Sequence, residues 1–426
     1  MIPGEDTGKG MALEGLKVLD FTWVAVGPIT IKYLADNGAT VVRVESVTRR
    51  DDLRGAPPCK DGVSGINTSQ FPASYNTGKY GLGLNMSRPE SQAVIRRLIR
   101  EWQPDVVAES YTPPVKKRWG LDYESLRELK DDIILFSACQ QGQTGPKAAF
   151  AGFGMQAAAH AGFYHLSGWP DREPLPPYGA YSDFINPPNG AAAILAALEY
   201  RERTGKGQHI DLAQFECAIQ YLSPLVLDFQ ATGRVSKRNG NRDEAYAPHG
   251  IYPCAAPEDE PARPIRKGGH WCAIAVTSEE EWASLCETMG MPALRTDPRF
   301  QSMEKRLENS DELDEIISAW TSGHESQDLM AMLQAAGAPA GVVQSQSELW
   351  TDPQLAHLGF FQMLEHTECG PMPYDGLQFQ LSKTPARLRW AQALVGEHNE
   401  FVLKELAGLD DDEIAELIAS EALEFS

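Results

Sequence analysis

The segment that decides the fold is "LKVLDFTWVAVGPITIKYLADNGATVVRVES", residues 16–46. It begins with a β-rich run, continues with a stretch of helical spacing that ends at Gly38, and closes with the β-branched run "TVVRVES". A strand, a helix and a second strand in this order predict two parallel strands joined by a right-handed crossover.

The same alternation continues outward along the chain. "ESQAVIRRLIREW" has the spacing of an amphipathic helix and "PDVVAES" that of a strand, and "YESLRELK" and "DIILFSA" add a further helix and strand. This alternation is typical of a doubly wound sheet with helices on both faces. We therefore predict an α/β fold with a Rossmann-like large domain.

A long helix is predicted for "NGAAAILAALEYRERTG", residues 189–205. Asn189 is a possible cap at its start, and Gly205 is expected to end it. Its first three turns are apolar on every side, so we expect the helix to be buried.

A change in composition predicts a second domain. After Leu225 the sequence becomes rich in glycine, proline and charge, and a section of strand and helix patterns follows. We predict that 1–225 form the N-terminal part of the large domain. We expect 226–342 to form a small α+β domain with its linkers, and 343–426 to return to the large domain.

The overall composition excludes several classes of protein. A net charge of -21 argues against non-specific nucleic-acid binding, and no apolar run reaches the length of a membrane span. The seven cysteines are scattered without a C-x-x-C pair, as in a reduced cytosolic protein without a metal site. The N-terminal sequence lacks the basic start and apolar stretch of a signal peptide, so we expect a cytoplasmic location.

One carboxylate has unusual neighbours. Asp183 lies among aromatic residues in "YGAYSDFINPPNG", just before the predicted long helix. Spacing alone favours a turn or cap residue. The alternative is a nucleophile or general base in a partly apolar pocket, at a strand-to-helix junction near amides that stabilise negative charge.

Cationic residues follow two of the predicted strands. Arg43, Arg49, Arg50 and Arg54 lie in or after the second strand, and "PPVKKRWG" follows "VVAES". A solvated loop is the simpler interpretation of each cluster. Because parallel strands end at one edge of a sheet, two such clusters favour a polyphosphate ligand there.

Several segments together resemble one known family, the class III CoA-transferases of the formyl-CoA transferase and carnitine CoA-transferase group. The resemblance runs from Leu13 nearly to the C-terminus. It implies a Rossmann-like large domain, a small middle domain and two interlocked subunits, either a homodimer or a heterodimer with a homologous subunit. A coenzyme A thioester is then a substrate, and no cofactor is bound permanently. The matching segments include residues 13–46, "NTGKYGLGLNM", "AILAALEYRERTGKGQHIDLAQFE", "APHGIYPC" and "GEHNEFVLKELAGLDDDEIAEL".

The resemblance also assigns roles to residues. The family's catalytic aspartate falls on Asp183. Many members have glutamine at Ala25 and some have arginine at Ser46, so Arg43, Arg49 or Arg54 could make the phosphate contact instead. The coenzyme A contacts of the family fall on Val24, Ala25, Val26, Leu84, Ser110, Tyr111, Thr112, Arg118, Ala151, Gly152, Phe153 and Gly154.

Two alternatives share this fold. An α-methylacyl-CoA racemase needs a histidine upstream of the aspartate as a second base, but Phe153 and Gly154 occupy that region and His160 is out of register. A non-catalytic subunit of a heteromeric transferase would lack the aspartate. We therefore favour a catalytic CoA-transferase, in which an aspartyl anhydride and an aspartyl-CoA thioester form at Asp183.

The acceptor acid is the least determined part of the function. Many aromatic residues lie in the segments that form the pocket, and ordinary core packing is the simpler interpretation. Read functionally, they favour a bulky or aromatic acid such as benzylsuccinate, with succinyl-CoA as the donor, in the degradation of aromatic acids. These residues are Trp23, Tyr75, Phe153, Phe163, Tyr164, Trp169, Tyr178 and Tyr181.

Overall fold

The computed structural model describes residues 10–256 and 269–426. The first nine residues of the N-terminal segment and residues 257–268 of the glycine- and proline-rich stretch lie outside the described part. The chain divides into two compact units. The large unit comprises 10–165, 176–236 and 353–426, and the small unit comprises 166–175, 237–256 and 269–352.

A six-stranded parallel sheet forms the centre of the large unit, in the order β3-β2-β1-β4-β5-β6. The first two strands pair in parallel, with Lys17 opposite Thr40, which confirms the predicted crossover. The strands are β1 (Lys17–Phe21), β2 (Thr40–Glu45), β3 (Lys79–Gly83), β4 (Val106–Glu109), β5 (Ile134–Cys139) and β6 (His209–Ala213).

Helices cover both faces of this sheet. Alternate residues of each strand point to opposite faces: Leu19 and Val42 enter one core, and Val18 and Val41 enter the other. The α/β fold with a doubly wound sheet is therefore as predicted. The helices up to Thr232 are α1 (Val26–Asp36), α2 (Gln70–Ala73), α3 (Pro89–Trp102), α4 (Pro113–Trp119), α5 (Tyr123–Arg127), α6 (Gly154–Ala161), α7 (Phe163–Leu166), α8 (Tyr181–Ile185), α9 (Pro187–Thr204), α10 (Gln214–Gln220) and α11 (Ser223–Thr232).

The long helix α9 differs from the prediction in two respects. It begins at Pro187 rather than at Asn189, because proline is well suited to the first helical position. It is also buried on one side only, since Leu195 keeps 44% of its surface exposed in the single chain. Gly205 ends the helix with a left-handed backbone, as expected.

The small unit contains a three-stranded antiparallel sheet, in the order β7-β8-β9. Its core packs around Trp282, Leu285 and Phe300. None of the described helices, in either unit, is long and apolar enough to cross a membrane. The elements are β7 (His249–Pro253), β8 (Trp271–Ala275), β9 (Ala340–Val342), α12 (Glu279–Thr288), α13 (Met303–Glu308), α14 (Ser310–Thr321), α15 (Ser326–Ala335) and α16 (Gln346–Leu349).

The C-terminal part of the large unit returns to β3. Gly83 lies so close to the C-terminal residues that a Cβ atom there would be 2.0 Å from the Glu424 carbonyl oxygen. Glycines at this strand weaken its β pattern, which explains why β3 was not predicted. The elements are α17 (Pro353–Leu358), a hairpin of β10 (Phe361–His366) and β11 (Gly370–Asp375), α18 (Asn399–Phe401) and α19 (Asp411–Ala419).

Candidate functional site

The crevice of the large sheet lies between β1 and β4, where the strand order reverses. Open α/β sheets bind ligands at this position, outside the carboxyl ends of the strands. Trp23 follows β1 and Tyr111 follows β4, and their rings meet edge to face with centroids 5.9 Å apart. The Trp23 amide also donates to Ser110 Oγ at 3.4 Å. Two of the predicted coenzyme A segments are therefore adjacent.

The loop after β1 has a strained backbone. Val24 has a φ of +64°, a left-handed value that a β-branched residue rarely adopts. Its amide donates to Asp51 Oδ2 at 2.9 Å, and this hydrogen bond helps to hold the strained conformation. Ala25 and Val26, the next two predicted contact residues, are buried at the start of α1.

Arg43 lies beneath this loop and is buried. Its guanidinium donates to the Thr22 carbonyl at 2.8 Å and forms ion pairs with Glu45 and Asp51 at 3.2 and 3.1 Å. Arg54 is buried as well and pairs with Glu45 at 2.5 Å. Contact of Arg43 with coenzyme A stays a prediction, and its described partners give it a structural role.

The remaining predicted contact residues near the crevice differ in exposure. Leu84 is fully buried in the core. Thr112 is the residue just before α4, and its side chain makes no capping hydrogen bond there. Arg118 on that helix is exposed and makes no ion pair with the described residues. Gln143 donates from its side chain to the Tyr111 carbonyl at 3.2 Å and so ties the loop after β5 to the loop after β4.

Asp183 lies in the short helix α8 rather than at a strand-to-helix junction. It is buried, and its amide donates to the Ala180 carbonyl at 2.8 Å. Its carboxylate oxygen Oδ2 accepts a hydrogen bond from the Gly154 amide at 3.3 Å. A Cβ atom on Gly154 would lie 2.6 Å from the Asp183 carboxyl, so only glycine fits at this position. The structure therefore brings together two predicted site residues that lie 29 positions apart in the chain.

The electrostatic surroundings favour a reactive carboxylate. Burial raises the pKa of Asp183 to about 6, and the Gly154 amide and the Gln214 side chain limit the rise. Among the described residues, no cation forms an ion pair with Asp183. The carboxylate therefore ionises close to neutral pH without a counter-charge, as functional carboxyl groups often do.

Two aromatic pairs include residues of α8, the helix that carries Asp183. Phe184 meets Tyr75 edge to face at 6.3 Å, and Tyr181 meets Phe163 at 5.1 Å. Helix α8 also packs against α1, which begins after the strained loop. Tyr178, by contrast, is 95% exposed, and Trp169 belongs to the small unit.

The segment 151–154 crosses the end of β5 as an exposed loop that enters α6. Ala151, Gly152 and Phe153 are exposed, whereas Gly154 is buried against Asp183. Gln140, the residue after β5, donates to the Phe153 carbonyl at 2.7 Å. Sequence reasoning did not single out Gln140 or Gln143. Their position at the carboxyl end of a central parallel strand is the pattern that could have identified them.

Comparison with known proteins identifies the family. Residues 13–399 match the family model described as CoA-transferase family III. The chain belongs to this family. It is 30% identical over 413 residues to succinyl-CoA–D-citramalate CoA-transferase of Chloroflexus aurantiacus, covering 96% of this chain and 98% of the relative. It is 31% identical over 400 residues to succinate–glutarate CoA-transferase of Agrobacterium fabrum, covering 93% and 96%.

A solved structure agrees with this assignment. The crystal structure of a CAIB/BAIF family protein from Brucella suis superposes with a TM-score of 0.82 at 29% identity, covering 93% of this chain and 100% of that one. The protein is therefore an enzyme, a class III CoA-transferase, and coenzyme A thioesters are its substrates. A related sequence, 28% identical, is the β subunit of a succinyl-CoA–L-malate CoA-transferase.

Proposed function

We propose that this class III CoA-transferase moves coenzyme A from succinyl-CoA to a second dicarboxylic acid, with Asp183 as the nucleophile. One observation carries the proposal: a buried carboxylate, with no ion-pair partner in the described part of the chain, accepts a hydrogen bond from a loop amide. Such a group is a better nucleophile than a solvated or ion-paired carboxylate, because neither water nor a cation holds its negative charge.

The resemblance to the family implies a reaction of four balanced steps at this carboxylate. Asp183 attacks the thioester carbonyl of the donor, giving a mixed anhydride and the coenzyme A thiolate. The thiolate attacks the aspartyl carbonyl, which releases the donor acid and leaves an aspartyl-CoA thioester. The acceptor carboxylate attacks this thioester, giving a second anhydride and the thiolate. The thiolate then attacks the acyl carbonyl of the acceptor, which yields the new acyl-CoA and frees Asp183.

Loop amides are proposed to stabilise the oxyanion of each tetrahedral intermediate. The Gly154 amide donates to Oδ2 of the proposed nucleophile at 3.3 Å. A fixed backbone donor of this kind needs no reorganisation as charge develops. Arg118 is our choice for a coenzyme A phosphate contact, because it is exposed at the edge where the sheet ends and forms no ion pair with any residue that the structure describes.

The choice of acceptor rests on the relatives and on the aromatic neighbours of Asp183. The two relatives described above are named for D-citramalate and glutarate, which are dicarboxylic acids like succinate. The rings of Tyr75 and Phe184 offer an apolar surface beside the nucleophile. Benzylsuccinate combines two carboxylates with an aromatic ring, so it is our specific candidate.

We also propose that two chains form the interlocked dimer of the family. Helix α11 has no buried residue in the single chain, and its apolar residues Val226, Leu227 and Phe229 are each more than half exposed. Exposed apolar surface of this kind usually marks an interface. The partner is either a second copy or a homologous subunit, and mass measurement of the purified chain alone distinguishes the two.

The racemase alternative receives no support from His160. Its imidazole is within hydrogen-bonding distance of Lys147 and Gln141, at 2.8 and 3.1 Å, and its ring packs on Phe215. No hydrogen bond joins it to Asp183 within the described part of the chain. A racemase needs a second base on the opposite face of the substrate.

A matrix of donors and acceptors tests the proposed function. Succinyl-CoA, acetyl-CoA and formyl-CoA are each incubated with citramalate, glutarate, malate, benzylsuccinate and monocarboxylic controls, and mass spectrometry detects the new thioesters. We expect transfer from succinyl-CoA to dicarboxylic acids and a hydroxylamine-trapped label on Asp183. Transfer to monocarboxylic acids alone contradicts the substrate class. Exchange of the α-proton in deuterated water without an acceptor identifies a racemase instead.

A further inference from the structure

One peptide group connects Asp183 to a buried glutamine. The carbonyl of Phe153 accepts a hydrogen bond from Gln140 Nε2 at 2.7 Å. The amide of Gly154, which belongs to the same peptide group, donates to Asp183 Oδ2 at 3.3 Å. Because a trans peptide is planar and its C=O and N–H point in opposite directions, the orientation of one group fixes the other. Gln140 therefore holds one side of the peptide and Asp183 faces the other.

The surroundings of Gln140 leave its side chain little freedom. Gln140 is 6% exposed, and its backbone carbonyl accepts a hydrogen bond from the Phe215 backbone amide at 3.0 Å. A Cβ atom on Gly152 would lie 2.6 Å from Gln140 Oε1, so the loop closes directly onto the amide. The donor is thus fixed beneath the peptide that it holds.

The oxygen of the Gln140 side-chain amide, unlike its nitrogen, lacks a hydrogen-bond partner among the described residues. Gln140 Oε1 is buried and has no hydrogen-bond partner among the described residues. A buried acceptor without a partner is unfavourable, and an apolar side chain of similar length would avoid this cost. The bond to the Phe153 carbonyl is therefore the contact that accounts for a glutamine here.

We propose that Gln140 is a positioning residue for catalysis: it orients the Phe153–Gly154 peptide so that the Gly154 amide points at the nucleophile. This inference rests on the proposed role of Asp183. Gln143 offers a matched control, because it has the same residue type in the same loop but donates to the Tyr111 carbonyl instead.

The test compares Gln140→Met with Gln143→Met by kcat, KM and the pH dependence of kcat/KM, using succinyl-CoA. We expect Gln140→Met to lower kcat about tenfold to a hundredfold, since a misplaced catalytic group has an effect of that size. A weaker Gly154 hydrogen bond stabilises the carboxylate less and raises its pKa. The acid limb of the kcat/KM profile, where activity falls as pH is lowered, should therefore move to higher pH by about 0.5–1 unit. For Gln143→Met we expect a higher KM for the thioester and an unmoved acid limb.

A second variant, Gly152→Ala, tests the same positioning role of Gln140. Gly152→Ala should displace the Gln140 amide and shift the acid limb in the same direction, whether or not Gln140→Met folds. An unchanged acid limb in both variants overturns the positioning role, even if kcat falls. If instead Asp183→Asn retains full activity, the proposed nucleophile is wrong, and this result does not depend on Gln140.

Discussion

Two buried carboxylates in the large unit are held in opposite ways. Asp20 is paired with Lys79 at 3.0 Å and with Arg43 at 3.6 Å. Burial acts to raise its pKa, but these two cations hold the pKa of Asp20 below its ordinary value. Asp183 has no ion pair among the described residues, and burial raises its pKa to about 6.

This difference distinguishes carboxylates that stabilise the fold from a carboxylate that is suited to catalysis. Asp20, Glu45 and Asp51 each form an ion pair with a buried arginine. Arg43 and Arg54 hold the pKa of Glu45 at about 2 despite its burial. Such groups fix the loops after β1 and β2 and are poor nucleophiles, because their charge is already satisfied. Asp183 keeps an unmatched charge at a cost in stability, as expected of a reactive group.

The largest expected effect concerns Asp183, the carboxylate that has no ion pair among the described residues. Asp183→Asn should lower the transfer rate by roughly 10⁴-fold or more, because an amide cannot form the anhydride. The rate is measured by thioester exchange, and binding of succinyl-CoA by calorimetry shows that the site remains intact. A variant that keeps a tenth of the wild-type rate contradicts nucleophilic catalysis by this residue.

The next effect tests the structural side. Arg54→Met removes the guanidinium that pairs with Glu45 and leaves that carboxylate partly unmatched. Breaking a buried pair in this way should cost about 3–5 kcal/mol in the free energy of unfolding. Urea denaturation measures the loss. Arg127→Met, at an exposed pair with Glu124, is the control and should cost less than about 1 kcal/mol.

A smaller effect is expected where the proposed nucleophile, Asp183, meets the loop that carries Gly154. Gly154→Ala places a methyl group 2.6 Å from the Asp183 carboxyl, so the carboxyl or the loop must move. We expect kcat to fall about 10²-fold, since misplacement of a catalytic group by about 1 Å has this cost. Gly323→Ala is the control, because its nearest contact is 3.4 Å away. Equal kcat values for the two variants would show that the close contact is not required.

The two regions also differ in how well the sequence predicts them. The strands that carry Asp20 and Glu45 are predictable because short runs rich in apolar residues, KVLDF and TVVRVE, are a local property of the sequence. Arg43 and Arg54 pair with acids that are close in the sequence, Glu45 and Asp51, but their burial depends on how β2 pairs with β1 and β3. The local sequence therefore does not show whether these two arginines are accessible to a phosphate group.

The position of Asp183, the proposed nucleophile, shows a related limit. Spacing alone favoured a turn residue at Asp183, and the family resemblance indicated its role. Its contact with Gly154 spans 29 positions and joins two loops, which no helix or strand periodicity records. The exposed side of α9 was missed for another reason: apolar residues on every side do not indicate which face lies against the sheet.

The smallest effect joins both regions in one measurement, the pH dependence of stability. The folded-state pKa of Asp183, about 6, lies above its ordinary value, so folding becomes less favourable as pH rises from about 4 to 6. Asp183→Asn removes this cost and should stabilise the protein by about 2–3 kcal/mol above pH 6, but by nothing near pH 4.

Asp20→Asn should act in the opposite direction, because the folded-state pKa of Asp20 is lowered by its cations. The ionised carboxylate contributes stability above its ordinary pKa, and that contribution is lost as pH falls through the folded-state value. Thermal denaturation of both variants between pH 4 and 8 measures the two signs. If Asp183→Asn destabilises the protein at pH 8 as Asp20→Asn does, Asp183 is a structural carboxylate, and the contrast between the two regions disappears.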